Sequence, residues 1–196
     1  RVLRHSHNQG VGGAMITGYR QAIADGAQIL VKIDGDGQMD PALVRSFVAP
    51  ILRGEADYTK GNRFWNPGRL SAMPLVRRLG NLALSFMAKA SAGYWDIFDP
   101  TNGYTAIHAA VASRLPLEAL SRRYFFETDL LFRLNTIRAV VVDVPMDAVA
   151  LRAHPLAAPF AWPVDGKRNV VATWPAAGEG GRKRDSSSRS PAIVST

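Results

Sequence analysis

One stretch of the chain decides the fold: residues 27–38, AQILVKIDGDGQ, where a mostly apolar run leads directly into two aspartates separated by a glycine. A short apolar run of this kind suits a strand that is buried on both faces of a parallel sheet. Asp34 and Asp36 come directly after it. Ligands of open α/β sheets bind beyond the carboxyl ends of the strands, so these two carboxylates are candidates for a binding site.

The segments on either side alternate between helical and strand patterns. The predicted helices are 13–25, 41–53, 74–91 and 125–135, and the further predicted strands are 57–61 and 139–144. This alternation predicts an α/β fold with a mostly parallel sheet and helices on both faces. After about residue 147 Ala, Pro and Arg dominate, followed by Gly, Ser and Arg. We therefore predict a domain over residues 1–147 and a disordered basic tail over 148–196.

The composition limits the kinds of site and partner. The chain has no cysteine, which excludes thiolate metal sites and leaves oxygen or imidazole ligands, as preferred by Mg²⁺ or Mn²⁺. The formal net charge of +8 suits phosphorylated small molecules or a phospholipid surface. A nucleic-acid partner is not predicted, because the basic run at 182–184 lacks interleaved aromatic residues. No apolar run is long enough for a membrane-spanning helix.

The aspartate pair alone leaves several interpretations open. Two carboxylates two residues apart, with glycines beside them, can face one cation while phosphates approach closely. Asp and Gly also form turns without any ligand. A calcium loop of the EF-hand type shares the Asp-x-Asp pattern but requires a glycine and a distal glutamate at spacings that are missing here. A haloacid-dehalogenase-type phosphatase, with Asp34 as nucleophile and Asp36 as acid/base, also fits an apolar strand followed by Asp-x-Asp.

Further motifs surround the pair: NQGVGGA at 8–14, DYTKGNRF at 57–64, DPTNGY at 99–104 and FETDLL at 126–131. The first is not a dinucleotide fingerprint, because Met15 stands at the third glycine position. In this order and spacing the motifs resemble glycosyltransferase family 2, and within it the polyprenyl-phosphate (dolichol-phosphate) sugar synthases. The resemblance covers roughly residues 2–147.

The resemblance implies a GT-A fold, a GDP- or UDP-hexose donor and inversion at the anomeric carbon. It also implies an Mg²⁺ or Mn²⁺ cofactor, with Asp34, Asp36 and Gln38 as its ligands. Asp34 is further expected to contact the nucleotide, together with Gly12 and Gly13. The fold is expected to be partial, because the family's first strand and nucleotide-base loop are missing from this sequence, which leaves open whether the fragment is active.

The resemblance also implies an acceptor side. Its expected residues are Arg63, Asp99, Thr101, Asn102 and Glu127, with Arg63 holding the phosphate of a polyprenyl phosphate acceptor. Asp36, Arg63 and Asp129 are the expected catalytic residues. A lipid phosphate is already anionic and needs positioning more than deprotonation. A sugar hydroxyl would instead need a carboxylate base, for which Asp129 or Asp99 are the candidates.

The amphipathic segment 74–91 has two interpretations. Its apolar face can pack on the sheet, or it can lie on a membrane surface with its basic residues at anionic head groups. The resemblance favours a peripheral protein at the cytoplasmic membrane face. A catalytically inactive protein that binds membranes through 74–91 is the remaining alternative.

Overall fold

The computed structural model describes residues 2–35, 37, 39–65, 75–146, 168–174 and 192–195. Its strands are β1 (Val2–Arg4), β2 (Ile29–Asp34), β3 (Tyr58–Asn62), β4 (Thr105–His108), β5 (Val141–Pro145), β6 (Arg168–Trp174) and β7 (Ala192–Ser195). Its α-helices are α1 (Gly10–Ala24), α2 (Val44–Leu52), α3 (Leu75–Ala92), α4 (Ala109–Ala112) and α5 (Phe126–Thr136). Short 3₁₀ turns at Pro41–Leu43 and Leu117–Ala119 complete the described elements.

The strands form one mixed sheet in the order β1-β7-β6-β2-β4-β3-β5. Only β1–β7 and β3–β5 are parallel among the described pairs, while β2–β4, β2–β6, β3–β4 and β6–β7 are antiparallel. The prediction of a mostly parallel sheet is therefore wrong. Two strands are the reason: β6, which the sequence does not predict, forms two of the antiparallel pairs, and β4, which starts directly after the 99–104 loop, forms the other two. Since that loop lies at the edge where β3 ends, β4 must run back between β2 and β3.

Helices cover both faces of the sheet, as the sequence predicts. Leu30, Tyr58 and Ile107 pack with residues of α1 and α5 in one apolar cluster. Ile29, Val31 and Ala106 pack with α2 in the other. Successive side chains of a strand point to opposite faces, so the even-numbered residues of β2 face α1 and α5. Lys32 and Asp34 belong to this even-numbered set.

Two strands, β6 and β7, fall within residues 148–196, for which the sequence predicts disorder. The β6 segment contains Val170, Val171 and Thr173, β-branched residues that favour strands. It pairs antiparallel with β2 along Ile29–Asp34. The Pro- and Arg-rich composition around it hid this local preference. Residues 148–167 and 175–191 lie outside the described part of the chain, and the domain boundary at 147 stays a prediction.

Candidate active site

A row of polar side chains crosses the sheet near the carboxyl ends of β2 and β3. Lys32 pairs with Thr105 of β4, Thr105 pairs with Lys60 of β3, and Lys60 pairs with Asp143 of β5. Lys32, Lys60 and Thr105 are almost fully buried. Buried charges cost several kcal/mol each unless they are paired, so their partners define the site.

The Lys32 ammonium lies between two carboxylates. Its Nζ donates a hydrogen bond of 2.7 Å to Glu127 Oε1 and lies 3.1 Å from Asp34 Oδ1. Burial alone would lower the pKa of Lys32, but Glu127 and Asp34 outweigh it and raise that pKa above its ordinary value. Lys32 is therefore a fixed positive charge at the end of β2.

The Asp34 carboxylate is held closely but is not fully bonded. Its buried Oδ1 forms an ion pair with Lys32 Nζ and has no other polar partner among the described residues. On the other side, a Cβ added at Gly103 would overlap Asp34 Oδ2 and lie 2.9 Å from Lys32 Nζ. Only glycine leaves room here for the carboxylate and the ammonium together.

Lys60 holds the loop that follows α3. Its Nζ donates a 2.6 Å hydrogen bond to the carbonyl oxygen of Asn102. Burial lowers the pKa of Lys60 to about 8, and the nearby charge of Lys32 acts in the same direction. Burying this ammonium therefore costs free energy of folding. Its hydrogen bond fixes the backbone beside Gly103.

Arg63 and Asp99 form a two-bond pair at the same edge of the sheet. Arg63 Nε donates to Asp99 Oδ2 at 2.7 Å, and Nη2 donates to Oδ1 at 3.0 Å. The Asp99 side chain is fully buried, whereas the Arg63 side chain is 42% exposed. A planar guanidinium held from behind in this way keeps a fixed orientation toward solvent, as recognition of a phosphate requires.

The other expected acceptor-side residues support Asp99. Asn102 Nδ2 donates to Asp99 Oδ2 at 3.2 Å, and Asn102 Oδ1 accepts from the Tyr104 N–H. Thr101 Oγ1 makes a long contact of 3.4 Å to Asp99 Oδ1. The structure therefore brings Arg63, Asp99, Thr101 and Asn102 together, while Glu127 contacts Lys32 on the Asp34 side.

A second carboxylate, Asp143 of β5, fixes the start of the loop. Its Oδ2 accepts from Asn62 Nδ2 at 3.0 Å and from the Phe98 N–H at 2.9 Å. Burial raises the pKa of this carboxyl above its ordinary value. Phe98 precedes Asp99 in the chain, so Asp143 and Lys60 hold the two ends of the loop from neighbouring strands.

Asp129 makes a different set of contacts. One oxygen accepts from the Ser121 N–H at 2.7 Å, and the other accepts from Arg133 Nε at 2.9 Å. The first contact fastens α5 to the segment before it, and the second is a pair within the helix. The catalytic role expected for Asp129 stays a prediction.

Gly12 and Gly13 pack closely against the chain rather than lining an open surface. Both N–H groups donate to the carbonyl oxygen of Arg122, at 2.9 and 3.3 Å, and a Cβ at Gly12 would overlap Ser121 O. Glycine is required here for the approach of α1 to residues 121–122. The nucleotide contact expected for the pair rests on the resemblance alone.

Two expected metal ligands, Asp36 and Gln38, lie outside the described residues. Within the described part of the chain, no three His, Cys, Asp or Glu side chains are grouped as a metal site. Asp34 itself fits a hard cation, because it is a partly exposed carboxylate at a strand end.

Exposed apolar side chains lie beside the 99–104 loop. Phe86 and Met87 of α3 and Trp95 and Phe98 after it are each more than half exposed, and we call these four residues the aromatic patch. The Phe86 and Trp95 rings meet edge to face, and Lys89 Nζ lies 4.6 Å from the Phe98 ring centre. Ala88 and Ala92 on the same helix are buried, so α3 packs with one side and exposes another. The side chains of Arg77 and Arg78 are outside the described set.

Sequence reasoning missed Lys32, Lys60 and Asp143 as members of the site. A usable signal was present, because Lys32 interrupts the otherwise apolar run of residues 29–33. A lysine in such a run must find a partner or remain a costly buried charge. Its partner Glu127 is 95 residues away, and strand patterns alone do not identify contacts at that distance.

The mixed sheet, covered on both faces and carrying polar residues at one edge, defines a GT-A-type glycosyltransferase fold. It matches glucosyl-3-phosphoglycerate synthase from Mycobacterium tuberculosis, solved in complex with Mn²⁺, UDP and phosphoglyceric acid, with a TM-score of 0.50 and 22% identity. The match covers 86% of this chain and 63% of that one.

The chain belongs to glycosyl transferase family 2, whose family model matches residues 1–115. It is 32% identical over 148 residues to the UDP-N-acetylglucosamine–dolichyl-phosphate N-acetylglucosaminyltransferase of Methanococcus voltae. It is 30% identical over 149 residues to the undecaprenyl-phosphate mannosyltransferase of Micrococcus luteus. Each match covers 76% of this chain, which spans 59% and 60% of those relatives. The family decides against the phosphatase interpretation.

No helix in the described part of the chain is long and apolar enough to cross a membrane.

Proposed function

We propose that this protein transfers a hexose from a nucleotide sugar to a polyprenyl phosphate, with inversion at the anomeric carbon. The observation that carries the proposal is the Arg63–Asp99 pair at the same sheet edge as Asp34. A fixed cation for an anionic acceptor thus lies at the edge that carries a carboxylate suited to the donor's metal. The dolichyl- and undecaprenyl-phosphate acceptors in the relatives' names support this acceptor class.

Asp34, Asp36 and Gln38 would hold an Mg²⁺ or Mn²⁺ ion at the end of β2, where the Asp34 side chain is partly exposed. Structures of the mycobacterial synthase in complex with Mn²⁺ or Mg²⁺ support the choice of metal. A bound divalent cation would neutralise the charge that develops on the departing nucleoside diphosphate.

Arg63 positions the acceptor. A phosphate oxygen of the lipid forms a bond to the anomeric carbon, and the bond from that carbon to the nucleoside diphosphate breaks, with the electron pair leaving on the diphosphate. The phosphate is already ionised, so no group has to remove a proton. The two carboxylates that could serve a hydroxyl acceptor are otherwise engaged, Asp99 with Arg63 and Asp129 with Ser121 N–H and Arg133. This engagement favours the phosphate acceptor.

The aromatic patch would place the protein on a membrane surface, which we propose is the cytoplasmic face. Aromatic side chains suit the interface between head groups and acyl chains. Phe98 directly precedes Asp99, so a lipid entering beside the patch would bring its phosphate toward Arg63. Lys89, which donates to Trp95 O at 2.8 Å, adds positive charge beside the rings.

The acceptor class can be tested by supplying the chain with a labelled UDP- or GDP-hexose, Mn²⁺, and either polyprenyl phosphate or an alkyl glycoside. We expect label in the organic phase only with polyprenyl phosphate, in a product whose anomeric configuration is opposite to the donor's. Transfer to the glycoside instead would overturn the acceptor assignment. Vesicle binding without any donor binding would indicate the non-catalytic membrane-binding alternative.

A further inference from the structure

We propose that Lys32 is a built-in counter-cation of Asp34, which neutralises this carboxylate in the metal-free protein, and that Glu127 takes over the ammonium when a divalent cation binds. The inference rests on the metal site of the proposed function. It gives Glu127 a positioning role on the donor side, where the resemblance implies an acceptor role.

The first support is the geometry of the shared ammonium. Lys32 Nζ donates a hydrogen bond of 2.7 Å to Glu127 and forms a longer ion pair, at 3.1 Å, with Asp34 Oδ1. The ammonium is thus shared by two carboxylates, with the shorter contact to Glu127. Loss of the Asp34 contact would leave the stronger partner in place.

The second support is confinement. Lys32 is 1% exposed and Glu127 14% exposed, whereas Asp34 is 30% exposed. Gly103 lies against the Asp34 carboxylate, since a Cβ there would overlap Oδ2. Water can therefore reach Asp34 more readily than Lys32, and an incoming cation would meet a carboxylate whose charge is already partly balanced.

Removing Lys32 and removing the charge of Glu127 should have opposite effects on metal affinity. A divalent cation at Asp34 is repelled by the Lys32 ammonium, and interactions between partly buried charges are only weakly screened. Removing Lys32 should therefore strengthen metal binding. Removing the charge of Glu127 should weaken it, because the ammonium then has Asp34 as its remaining carboxylate. A purely structural role of the pair would weaken binding in both variants.

The test is Mn²⁺ binding by the 196-residue chain, measured from the spin-resonance signal of free Mn²⁺ without any donor or acceptor. We expect Lys32→Met to bind Mn²⁺ roughly tenfold more tightly than wild type and Glu127→Gln to bind it several-fold more weakly. Near-ultraviolet circular dichroism establishes that each variant is folded. Because no transfer is measured, a failure of the transferase assay does not affect this result.

The matched controls are Arg53→Met and Glu55→Gln. Arg53 and Glu55 form an exposed ion pair in the turn before β3. Because β2 and β3 are both antiparallel to β4, that turn lies at the sheet edge opposite to Asp34. The controls change the net charge by the same amounts, and we expect less than about a twofold change in Mn²⁺ affinity.

If Lys32→Met does not fold, the comparison moves to the Glu127→Gln background, where no charged partner is left buried. Lys32→Met/Glu127→Gln should bind Mn²⁺ more tightly than Glu127→Gln alone. A folded Lys32→Met that binds Mn²⁺ no more tightly than wild type would overturn the inference. Mn²⁺ binding by neither the wild type nor any variant would contradict both the inference and the metal site.

Discussion

The Arg63 guanidinium and the Asp99 carboxylate meet through two nearly parallel hydrogen bonds, with the carboxylate fully buried and the arginine half-exposed. The two residues have different surroundings, which the sequence motifs do not distinguish. Asp99 serves the protein interior, and Arg63 presents its charge to solvent from a fixed position. We propose that the pair forms the acceptor side of the reaction.

Arg63→Lys should raise the KM for polyprenyl phosphate by about tenfold or more, with a smaller effect on the KM for the nucleotide sugar. A lysine keeps the charge but cannot make the planar two-bond pairing with Asp99. The measurement is initial-rate kinetics with each substrate varied in turn, and Arg53→Lys, at the opposite sheet edge, is the control. An equal rise in both KM values would argue against an acceptor role for Arg63.

Gly103→Ala should lower the free energy of unfolding by about 1–3 kcal/mol, because overpacking displaces Asp34 and Lys32. Mn²⁺ affinity should fall with it, since the carboxylate loses its position. Urea denaturation and a Mn²⁺ titration measure the two effects. Gly80→Ala on α3 is the matched control, because a Cβ there meets nothing within 4 Å, and it should keep both properties or slightly raise stability. Equal behaviour of the two variants would contradict the close approach at Gly103.

Stability should rise with pH between about 8 and 9.5 because of Lys60. Its pKa falls from 10.5 in the unfolded chain to about 8 in the fold, so the unfolded state binds more protons in this window. Raising the pH therefore destabilises the unfolded state relative to the folded state. The free energy of unfolding of wild type relative to Lys60→Met should increase by about 1–2 kcal/mol.

The measurement for Lys60 is urea denaturation of both proteins at pH 8.0, 8.5, 9.0 and 9.5. Burial raises the pKa of Tyr19 to about 12 and that of Tyr58 well above 10. Their ionisation in the unfolded chain would reduce stability above pH 10, outside this window. A constant difference between wild type and Lys60→Met would show that Lys60 does not titrate in the fold as the structure implies.

Trp95→Ala and Phe86→Ala should each weaken binding to anionic phospholipid vesicles by about tenfold, since each removes exposed aromatic area that would enter the interface. Vesicle co-sedimentation measures the change. Leu52→Ala is the control, because Leu52 is also half-exposed but lies at the end of α2, on the opposite sheet edge. A similar loss in the control would contradict a membrane-binding role of the aromatic patch.

Local patterns predicted several elements well. The strand before Asp34 and the helix and strand near residues 125–144 are where the sequence predicts them, with shifts of one or two residues. Helix α1 starts at Gly10, earlier than the predicted residue 13. Glycines disfavour helix, but the Arg122 carbonyl holds Gly12 and Gly13 against the neighbouring segment, and this tertiary contact outweighs propensity.

Other features depend on contacts between distant residues. The short strand Thr105–His108 has little sequence pattern typical of a strand. It nevertheless lies between β2 and β3 and runs antiparallel to both. The partnership of Lys32 with Glu127 and that of Lys60 with the Asn102 carbonyl exist only after the chain has folded. The sequence therefore predicted Asp34, Arg63 and Asp99 as candidates. It did not predict the buried Lys32 and Lys60, which contact Asp34 and the Asn102 carbonyl.

The most direct test of the central claim is the Mn²⁺-dependent formation of lipid-linked sugar from labelled UDP- or GDP-hexose and polyprenyl phosphate by the chain, compared with Asp34→Asn and Asp36→Asn. We expect that wild type forms the product, that chelation of the metal abolishes it, and that each variant loses at least about a hundredfold in rate. Full activity in Asp36→Asn, or product formation that is unaffected by chelation, would contradict the central claim.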